Sequence, residues 1–144
     1  MTIDPELVTR KLLLIAADLA ALGAIRARGA DAYMQNWIDQ AVVERYLERI
    51  IGRMIDVNYH LLTASGHAPP ADYHASFVRL GETRVLEPEF ARRIARSAGL
   101  RNRLVHDYEG LDHAKVFAAL VDALDDVPQY LDRINHHIAS SRAD

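Results

Sequence analysis

The sequence has no cysteine in its 144 residues, which excludes a disulfide framework, thiolate metal sites and cysteine nucleophiles together. No uninterrupted apolar run approaches the ~20 residues that a membrane span needs. The longest near the start, Leu12 to Ala17, is followed at once by Asp18. The first residues, Met1-Thr2-Ile3-Asp4-Pro5-Glu6, lack the basic stretch of a secretory leader, so a cytoplasmic protein without a membrane partner is expected. Positive charge is not in excess either. A net charge of −3 excludes coating nucleic acid along the whole surface, so any such contact must be local. A Gly-rich phosphate loop is missing, and the serines lack a spaced base and acid for hydrolysis. The seven histidines do not gather: His67 and His74 straddle a loop, and the adjacent His136 and His137 point apart on a helix, so neither metal nor other cofactor is expected.

What is present is globular. Half of the residues are hydrophobic and 26% are charged, enough apolar surface for one core, and 144 residues predict a single domain over 1–144. Helical periodicity runs from end to end, without the alternation of a half-buried strand, so the predicted class is an all-α bundle of about five helices. Asp4-Pro5-Glu6 caps the first, with Leu12, Ile15, Leu19 and Leu22 recurring until Gly29. The longest spans about Gln35 to Ala64, and Trp37 and Tyr46 on it are expected in the core or on a dimer face. Ser65-Gly66-His67-Ala68-Pro69-Pro70 breaks it. A short helix around Tyr73 to Leu80 follows; then one begins at Glu87-Pro88-Glu89, with a bend expected at Gly99, and runs to His106. The last covers about His113 to Ile138.

Chemistry concentrates in Arg101-Asn102-Arg103-Leu104-Val105-His106-Asp107-Tyr108. Together with Arg92, Arg93 and Arg96 it holds five arginines between positions 92 and 103 with no acid among them, the one phosphate-attracting patch of an acidic chain. Residues four apart on a helix lie about 40° from each other, so Asn102 and His106 share a face. Arg101 and His106, five apart, sit roughly 140° apart, and converge only if the helix unwinds near His106 or a second copy supplies the other group. These residue types permit metal-free RNA cleavage: a histidine takes the 2′-hydroxyl proton and an arginine holds the charge developing on phosphorus. From spacing alone, the commoner arrangement is a plain helix end with an Arg103–Asp107 ion pair and a capping histidine. Asp56 and His60, four apart on the long helix, read either as lining of a cleft or as an interhelical polar pair.

Arg101, four residues, then His106-Asp107-Tyr108 resembles the R-x4-H-x-Y signature of the HepT-like branch of the HEPN superfamily. The likeness extends to Glu44 through His60, to Pro69-Pro70…Tyr73…Phe77…Leu80 and to Leu111-Asp112…Val116-Phe117…Leu120…Leu124, covering about Trp37 to Ile134. The resemblance implies an α-helical bundle, a homodimer whose two motifs face one cleft, and a metal-independent endoribonuclease toxin. It implies as partner a minimal nucleotidyltransferase antitoxin that can attach AMP to the motif tyrosine, here Tyr108. Arg101 and His106 are then the catalytic residues, with Asn102 and Tyr108 supporting. The other reading is a non-catalytic HEPN protein that binds a nucleotide or presents a substrate to the nucleotidyltransferase.

Overall fold

The computed structural model describes residues 2–107 and 110–143, and every element among them is α-helical. Helix α1 spans Pro5–Ala27; the Asp4 carboxylate caps it by accepting from the Leu7 N–H at 3.1 Å, and Pro5 takes the first turn, where no amide partner is needed. Its inward stripe, Val8, Leu12, Ile15, Leu19, Leu22 and Ile25, follows the three- and four-residue steps of the sequence. Gly29, at φ 91°, turns the chain into α2 (Ala30–Met34), a single turn that periodicity did not reveal. What holds α2 is packing: buried Tyr33 lies 5.1 Å from Phe117, centroid to centroid.

Helix α3 (Trp37–Ala64), capped by Asn36, is about 42 Å long at 1.5 Å per residue and runs through the middle of the bundle. Trp37 is 74% exposed on its first turn, outside the core, whereas Tyr46 packs against the core. After the Gly66 and proline break come α4 (Tyr73–Glu82), α5 (Pro88–Ile94) and α6 (Arg96–His106). The expected bend at Gly99 lies instead at Ala95, where the Ala98 N–H reaches the Ala95 carbonyl at 3.1 Å. One glycine weakens a helix by only about 1 kcal/mol, and α6 continues through it, with Ala98 and Leu104 buried on either side. The α5–α6 joint keeps Ile94, Ala95 and Ala98 all facing inward.

Helix α7 (His113–Ala143) starts at the Asp112 carboxylate, which accepts from the Ala114 and Lys115 amides, and continues past Pro128. α1 packs on α3 and α7, while α4 and α6 pack on α3, so the motif helix lies against the central helix. None of the described helices is long and apolar enough to cross a membrane.

Candidate active site

Helix α6 carries Arg101, Asn102 and His106. It stays helical through His106, and Asp107 leaves it at φ −106°, ψ 58°, its N–H still reaching the Arg103 carbonyl at 2.9 Å. The helix therefore does not unwind in time to turn Arg101 and His106 together. Asn102 and His106 are both exposed, whereas Arg101 is half-buried. Tyr108 lies outside the described residues.

Arg101 lines a cavity of about 640 Å³ between four helices. Lys11 comes from α1, Arg49, Arg53, Asp56 and Tyr59 from α3, and Tyr73 from α4. The cavity's cations are mostly paired: Lys11 with Asp56 at 2.9 Å, and Arg49 and Arg53 with the two oxygens of Asp18 at 3.1 and 2.9 Å. Arg101 instead sits over the ring of Tyr73, its guanidinium carbon 5.1 Å from the centroid. Burial, reinforced by Tyr73 and Asp72, pushes the Tyr59 phenol up, which keeps it a neutral donor.

The arginine-rich run divides between two surfaces. Arg93, Arg96 and Arg103 line a groove of about 1080 Å³ toward α7, where Asp126 pairs with Arg93 at 3.0 Å. Among the described residues no ion pair joins Arg103 to Asp107. Asp56 and His60 are interhelical links: Asp56 pairs with Lys11, and the His60 Nε2 accepts from the Asp4 N–H at 2.9 Å, both tying α3 to the start of α1. Asp56 also lines the Arg101 cavity.

Two participants escaped the sequence reading. Asp18 is buried, and its signal was available, since it is the one charge between Lys11 and Arg26 on a helix otherwise apolar there. Tyr73 is one of the positions that carry the family resemblance, but its link to the motif was not legible: it lies 28 positions from Arg101, and no local spacing connects them.

A family model described as ribonuclease HepT-like matches residues 15–134, so the likeness includes most of α1 as well as the motif region. The tRNA nuclease HepT of Aphanizomenon flos-aquae (strain 2012/KM1/D3) is 35% identical over 136 residues, covering 94% of this chain and 92% of that protein. The fold is shared with a tri-AMPylated HEPN toxin of Shewanella oneidensis solved in complex with MNT antitoxin, at TM-score 0.83 and 22% identity over 92% of this chain and 99% of that one. It is shared also with the cytosolic protein YutE of Bacillus subtilis, at TM-score 0.83 and 16% identity over 97% and 94% of the two chains. With its helices, its motif segment and most of its length matched in this way, the chain belongs to the HepT-like ribonuclease family.

Proposed function

We propose that this chain is the toxin of a toxin–antitoxin pair, a metal-independent endoribonuclease in which Arg101 and His106 carry the chemistry. His106 takes the proton of a ribose 2′-hydroxyl; the oxygen attacks the adjacent phosphorus, the bond to the 5′-oxygen breaks, and a 2′,3′-cyclic phosphate and a 5′-hydroxyl result. Arg101 holds the charge that gathers on the phosphoryl oxygens as the bond forms. Asn102, exposed on the same face as His106, orients the imidazole or the substrate. One histidine per motif leaves the departing 5′-oxygen without an acid, and the motif of a second copy of the chain supplies it. The observation that carries this reading is the state of Arg101: half-buried, held on a tyrosine ring at a cation-rich cavity, and free of any carboxylate among the described residues. A structural arginine at such a depth is normally paired.

Control falls to Tyr108. Its hydroxyl attacks the α-phosphorus of a nucleoside triphosphate held by the partner nucleotidyltransferase, pyrophosphate leaves, and the new phosphodiester anion occupies the arginine-rich site in place of the scissile phosphate. RNA is the substrate class, and the cytoplasm is where such a pair would act.

The experiment is RNA cleavage by purified variants. His106→Ala and Arg101→Ala lose cleavage by a hundredfold or more, about the scale of a general base or a charge-stabilising group, while melting like the parent. Arg103→Ala loses far less, and cleavage survives EDTA. Full cleavage by His106→Ala, or its loss on chelation, overturns the mechanism; an inert parent protein favours the non-catalytic reading. Co-expression with the nucleotidyltransferase adds mass in nucleotide-sized steps that disappear in Tyr108→Phe. Neutralisation of Tyr108→Phe without added mass removes the regulatory half of the proposal.

A further inference from the structure

Arg101 is held by a group outside its own motif. Its guanidinium lies on the Tyr73 ring, and Tyr73 meets Tyr59 edge-on, with centroids 6.2 Å apart and planes at 81°. The other three cations of the cavity are tied to Asp56 and Asp18. The chemical difference is large. A carboxylate occupies guanidinium donors and offsets the charge, whereas a ring face attracts the cation through its quadrupole and leaves the N–H fork open to a phosphate.

Tyr73 is itself fixed from below. It is the first residue of α4, whose cap Asp72 accepts from the Ala75 N–H at 2.7 Å. The Tyr73 carbonyl accepts from the Ser76 hydroxyl at 2.7 Å; that hydroxyl accepts from the Asn58 amide, and the Asn58 carbonyl accepts from the Tyr130 hydroxyl. Asn58, Ser76 and Tyr130 are fully buried, so a closed chain of hydrogen bonds anchors the start of α4 to α3 and α7. Tyr73, by contrast, is 38% exposed, and it lines the cavity.

We propose that Tyr73 is a positioning residue for Arg101: its ring, braced by Tyr59, sets the guanidinium at the cavity wall with its donors free for an RNA phosphate. This rests on the part given to Arg101 in RNA cleavage. The test is single-turnover cleavage of a short RNA at saturating protein by the parent, Tyr73→Leu, Tyr73→Phe, Arg101→Ala and the double variant Tyr73→Leu/Arg101→Ala. Tyr73→Leu slows the bond-breaking step about tenfold, the scale of a partly desolvated cation–π contact, while Tyr73→Phe, which keeps the ring, stays near the parent. The double variant is no slower than Arg101→Ala, because a group acting through Arg101 has nothing left to position. A merely structural tyrosine would give additive losses. Should Tyr73→Leu melt well below the parent, Tyr73→Met takes its place in the same cycle. Parent-like rates in Tyr73→Leu, additive losses in the double variant, or a Phe variant as slow as Leu overturn the proposal. Parent-like cleavage by Arg101→Ala overturns the reading of Arg101 beneath it instead.

Discussion

Tyr130 donates its hydroxyl to the Asn58 side-chain carbonyl at 2.6 Å, with the Met54 backbone carbonyl also within reach at 3.1 Å. Burial pushes its phenol well above the usual range, which keeps it protonated and a donor. Removing that one oxygen leaves the Asn58 carbonyl buried without its partner. Tyr130→Phe therefore destabilises the protein by about 1–3 kcal/mol, the cost of an unsatisfied buried polar group. A lower urea midpoint with an unchanged slope is the expected measurement; an unchanged midpoint would mean that Asn58 finds another donor. The contacts made by the tyrosines at 59, 73 and 130 were not legible in the sequence for one reason. Periodicity tells which face of a helix is buried, but the meeting of Arg101 with Tyr73, or of Tyr130 with Asn58, depends on how separate helices cross.

At the scale of elements, the helices that sequence predicts best are those with chemical punctuation. Asp4-Pro5, Asp72, Glu87-Pro88 and Asp112 all act as caps, and the Ser65–Pro70 break stands where glycine and prolines demand it. α2 and the Ala95 joint carry no such marks and were not read; both exist because Tyr33 and Ala95 are buried. The joint matters, since α5 delivers the motif helix and is itself set by close contact with α4. A Cβ built on Gly81 would stand 2.7 Å from the Ala91 Cβ and 3.1 Å from the Pro88 Cα. Replacing a helical glycine by alanine ordinarily stabilises by up to about 1 kcal/mol, and Gly23→Ala, with open space around it, should do so. Gly81→Ala should have the opposite sign and cost about 1–3 kcal/mol through overpacking. Thermal melts of the two variants side by side read the difference; equal shifts of one sign would show that α4 and α5 separate freely.

At the scale of the whole molecule, the mechanism proposed for Arg101 and His106 leaves one chain short of a complete site. His106 is exposed at the end of the helix, Arg101 is turned toward α3 and α4, and no second imidazole lies within the motif to protonate the departing oxygen. The proposed homodimer, joined by a two-fold axis, would bring two motifs into one cleft, each histidine serving as the other's acid. Light scattering of dilute protein then gives about twice the chain mass of 16.2 kDa. The stronger reading comes from mixed dimers made by co-expressing the parent with His106→Ala in varied ratio. If a cleft needs both histidines, activity falls as the square of the parent fraction, because only parent–parent pairs cleave. If one chain holds everything, activity falls in simple proportion. A proportional line, or a monomer that cleaves RNA, would place the whole reaction within a single chain and require an acid other than His106.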